Sequence, residues 1–213
     1  YPQAFKTAKG MQEYLLRTLL TNAFTGVPDQ VIDDSVVQIN KDGGFDKDHL
    51  IDVIRAKGRS LEITRERLLE SGYGSDLIHL VFNIWYDFNY VPAYNGNKPQ
   101  IDHIFPQSVL KKIKDKNPNT GHMNIQRYKS EEIDQLANCM LLTASENGAG
   151  AGGKSDTLPE IWFRDKSKEY LARHLIPNDP KLWKVDRFRE FTQEREKLIL
   201  EKFKGLLSVP RTK

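Results

Sequence analysis

The residues of this 213-residue chain with the clearest chemical potential are Asp102-His103, Asn138 and Asn147. Asp102 and His103 lie in a short apolar segment, Gln100 to Phe105. Asn138 sits in a second apolar run, Leu136 to Thr143, and Asn147 follows nine residues later. Hydrolysing a phosphodiester requires a cation to neutralise charge growing on the phosphate and leaving oxygen, and a base to activate water for in-line attack. An Asp and a His side by side at a strand end can divide those tasks, the carboxylate on a hard cation and the imidazole toward water. An asparagine carbonyl from elsewhere in the chain suits magnesium, which prefers oxygen ligands and keeps several of its waters.

Each residue also has a plain structural reading. Asp-His pairs occur by chance, a strand-end histidine is commonly a satisfied polar group, and asparagine is frequent near turns for backbone reasons. It is the ordered combination that points to catalysis. Lys111, Lys112, Lys114 and Lys116 crowd the start of the stretch between the two apolar runs, and Arg127, Lys129 and Lys154 follow. Such residues could contact phosphates, giving affinity and salt dependence without reading bases, or could simply keep a loop solvated. Trp85, Tyr86, Phe88 and Tyr90 could stack on bases, but at helical spacing aromatic residues usually belong to a core.

The elements that must position these groups follow from periodicity and breakers. Met11, Tyr14, Leu15, Leu19 and Ala23 recur at helical spacing, which predicts a helix over Met11–Phe24 ending near Gly26 and Pro28. Further helices are predicted over 46–56, 61–70 and 75–89, the last the most apolar. The stretch Val91 to Pro99, with two prolines and an Asn-Gly, marks the main boundary, so residues 1–98 read as a helical connector domain and 99–213 as a catalytic core with C-terminal helices. Gln100 to Phe105 reads as a strand, Gln107 to Gln135 as a long polar loop of roughly thirty residues, and Leu136 to Thr143 as a second strand. A glycine-rich segment, 145–155, precedes helices over 158–175 and 185–207.

The strings Ile101-Asp102-His103-Ile104-Phe105-Pro106-Gln107-Ser108 and Gln135-Leu136-Ala137-Asn138-Cys139-Met140-Leu141-Leu142, followed by Asn147 and Lys154, resemble the His-Asn-His/Asn (HNH) nuclease domain. In particular they are similar to the C-terminal nuclease domain of GmrSD-like modification-dependent restriction enzymes and SspE-like phage-defence proteins. The resemblance implies that Asp102 is a metal ligand, His103 the general base, Asn138 the residue that fastens the loop and orients the histidine, and Asn147 the second metal ligand. It also favours Lys154 among the candidate phosphate contacts. The implied fold is mainly α with a small β-hairpin, a helical bundle plus a ββα-metal core around one Mg2+ or Mn2+. Two positions depart from the pattern: Ala137 stands where glycine is usual, and the glycines after Asn147 predict a short or frayed helix there. The resemblance further implies DNA as partner and an N-terminal nucleotidase-like domain, whose Asp-Gly-Gln-Gln-Arg motif is absent from this sequence.

Composition bounds the alternatives. The chain is 38% hydrophobic and 29% charged, ordinary for a folded soluble protein, and has no apolar run long enough to span a membrane. The single cysteine, Cys139, excludes a disulfide framework and a zinc-thiolate site and fits a reducing, cytoplasmic setting, which the resemblance implies is bacterial. Residues 1–101 carry 11 Lys and Arg against 13 Asp and Glu, whereas residues 102–213 carry 21 against 16, so the net charge of +3 resides in the half that holds the candidate site. The start at Tyr1, without a secretion signal, reads as a domain cut from a longer protein. The leading expectation is a metal-dependent DNA endonuclease or nickase. The alternative is a nucleic-acid-binding or interaction module that keeps the scaffold without cutting.

Overall fold

In the computed structural model, which describes residues 10–26, 28–90, 96–148 and 152–207, some helix starts follow side chains that satisfy the free N–H groups of the first turn. Asp46 accepts from the backbone of Asp48 and His49 at 2.9 and 3.0 Å and opens the helix Lys47–Ala56. With Met11–Leu20 (α1) and Pro28–Asp42 (α2), this helix (α3) builds a first core from Tyr14, Val31, Leu50, Ile51, Ile54 and Leu61. Helix α1 is shorter than its periodicity suggested. Helix α2 has no counterpart in the sequence reading. Its apolar residues do not mark its buried face: Val31 and Ser35 are buried while Ile32, Val36 and Val37 are exposed. The proline at its first position is a helix start that needs no N–H partner.

The described residues fold as two compact units that divide between Arg65 and Glu66, with residues 205–207 joining the first. The helices Arg65–Leu69 (α4) and Ile78–Trp85 (α5) follow. Residues 66–90 and 96–98 therefore group with the strands that come after them, so the division lies ahead of the Pro-Gly break, of which Val91–Asn95 lie outside the described residues.

Strand β1 (Pro99–His103) pairs antiparallel with β4 (Cys139–Thr143), matching Gln100 to Leu142, Asp102 to Met140 and His103 to Cys139. The polar stretch between them is not the long loop expected. It holds helix α6 (Gln107–Leu110), a small antiparallel ribbon of β2 (Lys114–Lys116) and β3 (Met123–Gln126), helix α7 (Ser130–Ile133) and a 3-10 turn, Leu136–Asn138. A few apolar anchors suffice for this, because Leu110, Tyr128 and Ile133 all enter the second core. Helix α8 (Ala144–Asn147) starts directly after β4, where the hydroxyl of Thr143 accepts from the backbone of Glu146, and stops at Gly148. The mainly helical fold with a small two-stranded β element matches the expectation, as does the short helix at Asn147.

The predicted helix over 158–175 is two short ones, α9 (Pro159–Trp162) and α10 (Lys168–Arg173), the second started by the Ser167 hydroxyl. The last helix, α11 (Phe188–Phe203), follows a 3-10 turn at Val185–Arg187. All five residues of β4 are buried, and Phe105 packs edge-on against Phe188 and Phe191 of α11 with ring centroids 5.3 and 5.0 Å apart. Each phenylalanine so buried contributes about 1.5–3 kcal/mol, which backs the end of β1 with a rigid wall. No helix among the described residues is long and apolar enough to cross a membrane.

Candidate active site

The site forms where β1 ends, and both of its central residues belong to the second unit. Adjacent residues of a strand present opposite faces, so Asp102 and His103 acquire different surroundings. Asp102 meets Lys154, whose ammonium lies 2.7 Å from Asp102 Oδ2 and donates to the carbonyl of His103 at 2.6 Å. The contact with Asp102 is a charge pair rather than a directed hydrogen bond, since Oδ2 is buried and has no hydrogen-bond partner. Lys154 is fully buried, and burial lowers its pKa while the Asp102 carboxylate opposes that shift. The expected phosphate contact is thus corrected: an ammonium with no exposed surface grips the β1 end from inside and does not reach a phosphate at the surface.

His103 is held on its other side. Its Nε2 lies 2.9 Å from Asp134 Oδ1, and Gln107 Nε2 donates to the same carboxylate oxygen at 2.5 Å. The ring of Tyr73 lies over the imidazole with centroids 4.3 Å apart, and the Tyr73 backbone N–H donates to the Asp134 carbonyl at 2.7 Å. Gly72 makes this approach possible, because a Cβ there would collide with the Asp134 carbonyl oxygen. The imidazole is only 8% exposed. Burial pulls its pKa below the ordinary histidine value, with Asp134 partly countering, so it is mainly neutral near pH 7.

Asn138 is fully buried and touches neither solvent nor a reacting atom. Its side-chain oxygen accepts from the Phe105 N–H at 2.9 Å, and its amide donates to the carbonyls of Phe105 and Ile133 at 3.2 and 2.8 Å. Those partners stand two residues after His103 and one before Asp134, so Asn138 clamps both flanks of the histidine-carboxylate pair. Ala137 lies in the right-handed 3-10 turn and needs no glycine. Arg195 of α11, fully buried, donates to the carbonyls of Ala137 and Cys139 at 3.0 and 2.7 Å and to those of His174 and Leu175 at 3.0 and 3.2 Å, fixing the turn that carries Asn138. Asn147 donates through Nδ2 to Gln100 Oε1 at 3.0 Å. Gln100 is two residues before Asp102 on the same strand face, so Asn147 stands on the Asp102 side of β1.

The remaining basic candidates lie on or beside the β2–β3 ribbon. Lys112 and Lys129 are exposed, and Lys111 is exposed with its ammonium donating to Gln107 Oε1 at 3.0 Å. Lys114 donates across the ribbon to Gln126, and Arg127 pairs with Asp115 at 2.7 Å. Asp134, Tyr73 and Gly72 carried no signal in the sequence. Gln107 did stand in the quoted motif, without a role.

Among the described residues no group of three or more His, Cys, Asp or Glu side chains is placed to hold a metal ion. The hard donors on this side of β1 are the Asp102 carboxylate and, beside Gln100 nearer the start of the strand, the Asn147 side-chain amide, oxygen donors of the kind a cation keeping most of its waters takes. Asp102 Oδ2 is already paired with the Lys154 ammonium at 2.7 Å, so a cation would have to meet the partly exposed remainder of that carboxylate.

The family of GmrSD restriction endonucleases, C-terminal domain, matches residues 58–202. The matched stretch nearly coincides with the second compact unit, Glu66–Lys204, and takes in every residue of the site described above. No curated protein matches the chain. Two thirds of the chain and the whole of its site thus fall within one family match, and the chain belongs to the GmrSD restriction endonucleases, C-terminal domain family.

Proposed function

We propose that this chain is a metal-dependent DNA endonuclease or nickase of the HNH, ββα-metal type, the effector part of a bacterial modification-dependent restriction or anti-phage defence protein. The observation that carries the reading is a largely buried, mainly neutral imidazole, His103, fixed by the Asp134 carboxylate and adjacent in sequence to the Asp102 carboxylate.

His103 takes a proton from water. The water oxygen bonds to phosphorus, the P–O3′ bond breaks, and O3′ takes a proton from solvent, leaving a 5′ phosphate. Asp102 and Asn147 would hold magnesium or manganese, which when bound supplies positive charge beside the phosphate and the departing oxygen. Asn138 acts through the backbone by keeping the segments of His103 and Asp134 together. The Lys111, Lys112, Lys114, Arg127 and Lys129 group offers the phosphate contacts, with Lys112 and Lys129 the most available. The helical stretch 1–98 serves as connector to a nucleotidase-like N-terminal domain, and the protein works in the cytoplasm.

The test is nicking of supercoiled plasmid, unmodified and base-modified, with magnesium present. His103→Ala should lower the rate by about 100- to 10,000-fold, and chelation should abolish nicking. Equal nicking by both proteins refutes the reading. Salt-dependent binding without cleavage by either would favour the non-catalytic module instead.

A further inference from the structure

We propose that Asp134 is the positioning residue of the candidate base: it holds the Nε2–H of His103, so that the lone pair of Nδ1 is the one that takes the proton from water. The proposal deepens the nuclease reading and rests on it for the reaction, though not for the geometry.

A carboxylate only accepts hydrogen bonds. With Nε2 of His103 at 2.9 Å from Asp134 Oδ1, the imidazole must carry its proton on Nε2, because two lone pairs at that distance would repel. Gln107 Nε2 also lies 3.4 Å from His103 Nε2, but both atoms are donors in this tautomer, and the amide's partner is the Asp134 oxygen at 2.5 Å. Asp134 Oδ1 therefore accepts from two side chains, one at the last residue of β1 and one at the first of α6. The carboxylate is itself located by its neighbours. The Tyr73 N–H holds its backbone carbonyl, Asn138 holds the carbonyl of Ile133 before it, and Gly72 lets the chain pass close above.

Asp134 acts through His103 and not on DNA. It lines a cleft of about 640 Å³ together with Glu66, Glu70, Glu131 and Glu196, a negatively charged wall that repels a phosphate chain. The exposed lysines lie instead on the ribbon side, and Lys111 reaches Gln107. When His103 takes the proton from water it becomes a cation, and the carboxylate already in contact balances that charge, the role an orienting acid plays beside a general base.

The experiment measures the His103 tautomer and the rate separately. Long-range 1H–15N correlation spectra of labelled, metal-free protein, taken where the imidazole is neutral, should show the Nε2–H form in the wild type and a mixture shifted toward Nδ1–H in Asp134→Ala. With plasmid and magnesium, Asp134→Ala should lower kcat by about 10- to 100-fold with little change in KM. Asp134→Asn, whose amide oxygen still accepts, should restore the Nε2–H form and part of kcat. An Nδ1–H tautomer in the folded wild type overturns the proposal even if Asp134→Ala does not fold, as does an unchanged tautomer in a folded Asp134→Ala protein. If the wild type shows the Nε2–H form yet cuts no substrate, the nuclease reading falls while the orienting contact stands.

Discussion

Asn138 does its work through three hydrogen bonds, none of them to a reacting atom. They join the backbone after His103 to the backbone before Asp134, and the residue has no exposure to solvent. Removing the side chain leaves one buried N–H and two buried carbonyls without a side-chain partner, each costing about 1–3 kcal/mol. Asn138→Ala should therefore lose about 3–5 kcal/mol of stability and most of its nicking. The check is the urea midpoint and slope of variant against wild type, and an unchanged midpoint would count against the clamp. An aspartate there would fare no better, because it cannot donate to the carbonyls of Phe105 and Ile133.

At the scale of elements, two strands far apart in sequence are held in one register by a helix that arrives last. The carbonyls of the 3-10 turn before β4 and of the chain after α10 converge on the guanidinium of Arg195. Burial lowers its pKa to about 10, which leaves it charged near pH 7. A buried guanidinium facing carbonyl dipoles and the Trp85 ring, 5.2 Å away, is stabilised chiefly by the number of its hydrogen bonds, so it cannot be shortened without leaving several carbonyls unpaired. Arg195→Met should cost about 3–5 kcal/mol, with amide hydrogen exchange rising first in Cys139–Thr143 and its partner strand. Exchange that rises only within α11 would show that the arginine stabilises its own helix and not the β pair.

The stability of the second unit as a whole should depend on acid through His174. Its Nδ1 is 2.8 Å from the Tyr86 hydroxyl, its ring packs on Tyr170, and burial with Arg195, Arg173 and Lys166 nearby pushes its pKa down to about 3. In the unfolded chain the group titrates near its ordinary value of 6.5. Between these values the unfolded state binds a proton that the folded state refuses. The stability is complete above the unfolded value and falls as pH drops through the window, by about 1.4 kcal/mol for each pH unit. His103, also shifted down, adds in the same direction. Urea midpoints above and below pH 6.5 should show the loss, and His174→Gln should flatten it. An equal acid slope in that variant would place the sensitivity elsewhere.

By itself the sequence determined the family, because Asp102-His103, Asn138 and Asn147 stand in short ordered strings of its pattern, and it determined the mainly helical character, because capping residues and apolar spacing act within a few positions. It did not reveal α2, whose apolar residues fall on two faces, nor the structure inside the polar stretch, where three or four buried anchors outweigh the local composition. Only the tertiary structure decided the surroundings of the two central side chains. Asp134 reaches His103 across 31 positions, and Lys154 reaches the His103 carbonyl across 51. Tyr73 comes from the stretch 1–98, which by sequence alone reads as a separate connector. Hydrophobic period and turn chemistry are local signals, whereas the partner of a buried charge is chosen by which distant segment packs against it. A lysine that reads as a surface phosphate contact can therefore fold into the interior as the counter-charge of a carboxylate.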